Sequence, residues 1–321
     1  MSGITDPLQL LLVSFLAVVP AFGWIVVGIV IRRLAPITLP SFKLGEKFVF
    51  YIGMPAVLAI SASQQDFLSV KLSGYILAGI VAFSLVVVAA YLHSRWLGFS
   101  LAHSGVVTQS AYRANLAIIG LALCASAFGQ QGLGLATMPI AIWTVLFNII
   151  AVVLLGHTHG GHGSPWAVIK GIAKNPLIIG IVVGAGISVT GMEKPDSVYQ
   201  LGGWLTQTII PLALICLGGS ISLKAAKSAR QELFSATLWR LIIAPIITIL
   251  ICLAFGVRGL ELGVSFLLLG GPAAVASHVM VSAAGGNGRL AANIVMLTTL
   301  LAPLSLSLGL FLLSYLSLLS Q

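Results

Sequence analysis

The chain has 321 residues, of which 59% are hydrophobic and only 7% charged, with a formal net charge of +9 and a mean hydropathy of +1.10. A water-soluble domain needs about a quarter charged residues to cover its surface, so a soluble enzyme is excluded and the chain is written for a lipid bilayer. The basic surplus sits in short loops between apolar runs, which reads as an orientation signal and excludes a nucleic-acid partner.

Ten stretches are apolar enough, and close enough to about 20 residues, to cross a bilayer as helices. In chain order they are Leu8 to Ile31, Leu44 to Ser63, Gly74 to Tyr91, Ser104 to Phe128, Leu133 to Leu155, Asn175 to Thr190, Leu201 to Leu223, Ala236 to Val257, Leu262 to Ala284 and Ala291 to Leu316. The sixth is short. Asp6 and the lack of a basic stretch before the first run argue against a cleaved signal peptide, so that run is expected to stay as a helix. With both termini outside, Arg32, Arg33, Lys43, Lys47, Arg95, Lys170, Lys174, Lys224, Lys227, Arg230 and Arg289 face the cytoplasm. Only Lys71, Lys194 and Arg258 then lie outside, and this asymmetry supports ten spans with extracytoplasmic termini in the cell (inner) membrane.

The second and seventh stretches carry a related phrase, Met54-Pro55-Ala56-Val57-Leu58-Ala59-Ile60 and Ile210-Pro211-Leu212-Ala213-Leu214-Ile215-Cys216. If the two prolines correspond, an interruption near Asn115 to Gly120 in the fourth stretch matches Gly271 to Ala276 in the ninth, beside Gly270-Gly271-Pro272. Five spans per half make the second copy inverted, an arrangement in which two broken helices meet near the midplane and offer free backbone groups to a solute. The expected organisation is a first five-helix repeat over residues 7–157, a cytoplasmic linker over 158–166 and a second, inverted repeat over 167–318. Gly and Pro also serve ordinary packing and kinks in membrane helices. It is their paired positions that favour the repeat.

At this point the chain resembles the auxin efflux carrier family of permeases, which includes bacterial malonate-type transporters. The resemblance is carried by Arg32-Arg33, by Phe48 through Pro55, by Tyr112-Arg113-Ala114-Asn115 with Ile119-Gly120-Leu121, by Lys174-Asn175-Pro176 through Gly180, by Pro211 through Ser220, and by Arg289 through Thr299. It implies ten helices as two inverted five-helix repeats, a fold like that of the bile-acid sodium symporters, with broken fourth and ninth helices crossing at the substrate site. It also implies a panel of helices one, two, six and seven as scaffold and homodimer surface, with the other six moving in an elevator-like motion. Family members often carry proline at the crossing points, where this sequence aligns Ala122 and Ser277.

All seven acids, Asp6, Glu46, Asp66, Glu193, Asp196, Glu232 and Glu261, map to ends and loops, so an anion would meet no fixed negative charge in a span. Arg113 lies about 14 Å into its stretch at about 1.5 Å per residue, where a guanidinium can hold a carboxylate with two parallel hydrogen bonds or clamp loose carbonyls at the break. Asn115 supplies donors and an acceptor beside it. Gly120, Gly270, Gly271 and Pro272 shape the backbone. Ser277 and Ser282 can line the site, and His278 can carry a coupling proton or simply pack. The substrate-site candidates are therefore Arg113, Asn115, Gly120, Gly271, Pro272, Ser277 and His278.

Arg240, just after Trp239, reads as an interfacial anchor whose head reaches the cytoplasmic surface. The run His157-Thr158-His159-Gly160-Gly161-His162 reads as flexible linker. Cys124, Cys216 and Cys252 have neither disulfide nor metal-ligand spacing. No phosphate-cradling loop is present, so transport must draw on a gradient, and no cofactor is expected. The expected function is a secondary carrier of mono- or dicarboxylates. Its alternatives are a sodium-coupled symporter of a bulkier amphipathic anion, and a uniporter or channel for carboxylate efflux. H+ and Na+ both stay open as the coupling ion.

Overall fold

The computed structural model describes residues 7–35, 38–64, 74–160, 170, 173–190, 195–220 and 229–319. Every regular element among them is a helix. We label them α1 (Pro7–Leu34), α2 (Leu39–Ser63), α3 (Gly74–Trp96), α4 (Leu101–Tyr112), α5 (Leu116–His159), α6 (Pro176–Val189), α7 (Asp196–Ser220), α8 (Arg230–Ala254), α9 (Gly259–Gly270), α10 (Val275–Ala283) and α11 (Gly288–Tyr315). Seven of them, α1, α2, α3, α5, α7, α8 and α11, are long and apolar enough to cross a membrane, and α6 and α9 are shorter apolar helices. This is a multi-pass membrane protein.

Local chemistry explains the irregularities. α5 has 44 residues, about 66 Å of helix at about 1.5 Å per residue, roughly twice a bilayer core. It is bent within by Gly129, whose φ of 59° and ψ of −145° leave the helical region and suit only glycine. Of the three π turns among the described residues, Leu116–Gly120 opens α5, while Val49–Gly53 in α2 and Trp239–Ile243 in α8 each end two residues before a proline, Pro55 and Pro245. Proline lacks an N–H and its ring clashes with the carbonyl four residues back. The wider turn relieves both problems and swings the residues before it to a new face.

Two sets of helices pack together. In the first, α1 lies on α7 and α2 lies on α6 and α7. Glycines allow these contacts: a Cβ on Gly28 would strike the Ile215 carbonyl, and one on Gly218 the Ile25 carbonyl. Gly180 and Gly184, four apart on α6, sit against the backbone of Pro55 and Ala59. This is close approach of small residues, the main source of helix adhesion where lipid removes the hydrophobic drive. In the second set α3 packs on α4 and α8, α9 on α5 and α8, α10 on α11, and α4 on α5. α1 touches α5 and α11, and α2 touches α5, which joins the sets.

Several expected boundaries move. α2 starts at Leu39, with Pro40 in its first turn, and α8 starts at Arg230, six residues before the apolar run at Ala236. α5 continues through His159 and ends on left-handed Gly160. His157, Thr158 and His159 are therefore helical: His157 meets the Tyr91 hydroxyl at 3.2 Å, and Thr158 donates to Leu154 O at 2.8 Å. The apolar face of α5 carries the helix past the point where hydropathy falls. His162 and most of the expected linker 158–166 lie outside the described residues, as do Asp6, Asp66, Lys71, Glu193, Lys194, Lys224 and Lys227.

Candidate functional site

Two helix interruptions meet inside the second set. One, Arg113 to Asn115, separates α4 from α5, and the other, Gly271 to Ala274, separates α9 from α10. They pair as a single antiparallel bridge between Ala114 and Ala273. Asn115 N donates to Pro272 O and Ala274 N donates to Arg113 O, both at 2.9 Å. Backbone freed by the breaks is thus bonded to backbone, as burial demands. Each break is also tied to the long helix that follows it. Arg113 Nη1 donates to Phe147 O at 2.9 Å and Arg113 Nη2 to Asn148 Oδ1 at 2.6 Å on α5. Ala273 N donates to Thr298 Oγ1 at 3.2 Å on α11.

The meeting point is neither at Ala122 nor at Ser277. It falls eight and four residues earlier, at Ala114 and Ala273, and Pro272 supplies the proline that the Ser277 alignment lacked. The reason is local: Asn115 caps the next helix by accepting from Ile118 N at 3.4 Å, and Gly271-Pro272 cannot continue α9. Once a cap and a proline stop the helices there, the residues at 122 and 277 stay helical.

Six of the seven candidates are on or next to this crossing. Arg113 and Asn115 are 6% and 7% exposed, and Asn115 keeps its carboxamide NH2 without a partner among the described residues. Gly271 and Pro272 form the second break. Gly120 N donates to Asn115 O at 2.8 Å, and a side chain there would press on Leu268 and on that oxygen. Ser277 is fully buried in the first turn of α10, its hydroxyl unpartnered. His278 stands apart: its Nδ1 is 2.8 Å from Gly288 O at the start of α11. Ser282 donates to His278 O at 2.8 Å within α10 and is exposed.

Arg240 overturns the expectation of an interfacial anchor. It is 1% exposed, and its Nη1 donates to Ala111 O at 2.9 Å while its Nη2 donates to Leu269 O. These carbonyls belong to the last turns of α4 and α9, the ends where helix carbonyls go unpaired and the dipole is negative. One guanidinium therefore bridges the C-termini of both interrupted helices. The sequence signal was its depth: ten residues after the true helix start at Arg230, it lies about 15 Å in at about 1.5 Å per residue. Placing that start at Ala236 hid this.

Of the described acids, Asp196, Glu232 and Glu261 lie in the first turns of their helices, and Glu46 lies further along α2, three residues before its π turn. Glu232 pairs with His103 Nδ1 at 2.8 Å. The crossing thus holds two buried guanidinium groups and no described carboxylate. Half-helix carbonyl ends offset Arg240, while Arg113 donates to a neutral carbonyl and a neutral amide among the described residues. Such a place favours a small anion with a hydrogen-bonding carboxylate.

Residues 165–310 match the model of a family described as membrane transport protein. An uncharacterized transporter of Methanocaldococcus jannaschii is 24% identical over 268 residues, covering 80% of this chain and 85% of its own. A Rhizobium meliloti protein whose name assigns it provisionally to malonate transport is 22% identical over 245 residues, covering 72% and 73%. With the fold, these matches define the class: a membrane transport protein, not an enzyme. The resemblance to the auxin efflux carrier family permeases, read from Arg32-Arg33 through Thr299, is borne out by the family match and by both relatives.

Proposed function

We propose that the chain is a secondary carrier of small organic anions, mono- or dicarboxylates, that works by alternating access around the crossed breaks. The observation that carries this reading is two buried arginines at the crossing with no described acid beside them. Arg113, with its guanidinium held by α5, and Asn115, with its free NH2, take the carboxylate. Gly120, Gly271 and Pro272 shape the backbone at the crossing, and Ser277 adds a buried, unpartnered hydroxyl in the first turn of α10. His278, its Nδ1 2.8 Å from Gly288 O, tethers α10 to the start of α11. The name of the Rhizobium meliloti relative is consistent with a dicarboxylate cargo.

The architecture under this reading is ten spans in two inverted repeats, 7–157 and 167–318. Support comes from exchanging the halves. α4 with the first part of α5 is then the fourth span, the part of α5 after Gly129 the fifth, and α9 with α10 the ninth. The pairing of α1 with α7 becomes that of α6 with α2, α3 with α4 becomes α8 with α9, and Ala114 exchanges with Ala273; each partner contact is present. The glycine-packed set α1, α2, α6 and α7 is the scaffold and homodimer surface, and the second set moves as the elevator, with both termini extracytoplasmic in the cell membrane. No described ion site separates H+ coupling from Na+ coupling or from uniport.

Uptake of labelled carboxylates into proteoliposomes, with a sodium gradient, a proton gradient or neither, tests the carrier. Saturable uptake with counterflow is expected. Flux linear in concentration would make it a channel, and no flux of any carboxylate would remove the anion reading.

A further inference from the structure

Asn148 is the polar residue in an otherwise apolar run of α5, Val145 to Leu155. It lies about 16 Å from the helix end at His159, at about 1.5 Å per residue, a depth at which a carboxamide is costly unless bonded. Its Oδ1 accepts from Arg113 Nη2 at 2.6 Å, while the Phe147 carbonyl accepts from Arg113 Nη1 at 2.9 Å and from the Tyr112 hydroxyl at 3.2 Å. An arginine only donates, so the oxygen of Asn148 must face it and the NH2 must face away. That NH2 has no partner among the described residues, and Asn148 is half-buried.

Arg113 is thereby oriented without being neutralised. Aspartate has the shape of asparagine and would make the same contact as a charge-assisted pair, answering a buried cation that is otherwise expensive to keep. A position that served only to clamp Arg113 would hold it more firmly with the acid. The amide supplies the hydrogen bond and leaves the positive charge for whatever enters beside it. We infer that Asn148 is the charge-selectivity residue of the crossing: it positions the Arg113 guanidinium and, by being neutral, leaves the carboxylate half of the ion pair to the cargo. This rests on the anion-carrier reading and adds to it the residue that decides which sign of charge is accepted.

The test is Asn148→Asp in the full chain, an exchange of one NH2 for an oxygen. Uptake of labelled propionate and succinate into proteoliposomes gives apparent KM and maximal rate, and the thermal midpoint of the detergent-solubilised protein is read beside them. The aspartate should raise KM for both anions about tenfold or more, because it occupies the charge the cargo needs, while the midpoint stays at or above that of wild type. Asn148→Leu removes the hydrogen bond and keeps the charge, so it should lower the midpoint and shift KM less than the aspartate does. A merely structural role would move stability and affinity together in both variants. Saturable wild-type uptake with an unchanged KM in Asn148→Asp overturns the inference and leaves the carrier standing. An aspartate variant less stable than wild type also overturns it, since the charge of Arg113 would then already be met. No saturable wild-type uptake of either anion overturns the carrier reading and the inference with it.

Discussion

Arg240 answers a problem that any interrupted membrane helix creates, carbonyls with no amide to meet them. Its two bonds cover Ala111 O and Leu269 O, and each buried group left bare costs about 1–3 kcal/mol. Arg240→Leu should therefore lower the thermal midpoint of the detergent-solubilised protein clearly, and Arg240→Lys, a single point of charge without the planar fork, should fall between. An unshifted midpoint for the leucine variant would remove the bridging role. Arg113 is held differently, by Phe147 O and the Asn148 amide. Arg113→Gln should abolish anion uptake, whereas Arg113→Lys should keep a reduced uptake with a weaker apparent affinity; wild-type affinity and flux in both variants would exclude a substrate role. Arg113 was legible in the sequence because it interrupts a long apolar run. Arg240 was not, because charged and polar residues from Arg230 to Glu232 made the start of its helix look like loop.

The irregular elements are set by proline and glycine, and their effects can be separated. Pro245→Ala restores the missing N–H, and the π turn Trp239–Ile243 is then free to close to α register. Losing one residue from the turn rotates what precedes it by about 100°, which takes Arg240 off Ala111 O and Leu269 O. Transport should fall in protein that still inserts and purifies, and full activity would show that the turn does not depend on the proline. Gly129→Ala acts on the backbone alone: φ of 59° with ψ of −145° should cost an alanine about 1–3 kcal/mol, read as a lower melting temperature. Hydropathy located the long helices, because burial in lipid is read residue by residue, except that it divided α5 at its Gly129 bend between the stretches Ser104 to Phe128 and Leu133 to Leu155. It could not see π turns, caps or the length of α5 past Leu155, which depend on which partner a backbone group finds. The first interruption was read near Asn115, two residues past the start of the break at Arg113, and its spacing from Pro55, carried over to Pro211, placed the counterpart at Gly271, where the second break begins; family alignment to Ala122 and Ser277 missed both, since no residue there can end a helix.

At the scale of the whole molecule the question is what moves against what. The hydroxyls of Ser61 on α2 and Thr137 on α5 are 3.1 Å apart where the two helix sets touch, close enough that cysteines there can form a disulfide of ordinary geometry. In a background with Cys124, Cys216 and Cys252 replaced, the oxidised Ser61→Cys, Thr137→Cys pair should stop transport and reduction should restore it. Transport that continues in the locked protein would show that the two sets do not slide. The duplicated plan proposed above rests on the two proline phrases, but the identity of the joining atoms could not be read from them. Those atoms are main chain: the two bonds between the breaks use only the amides of Asn115 and Ala274 and the carbonyls of Pro272 and Arg113. Mutation can replace every side chain around such a joint without deleting it, provided the helices still stop. Under the carrier reading proposed above, evolution can then retune the cargo while the machinery stays put, and a new specificity needs only a few altered side chains at a pre-existing hub.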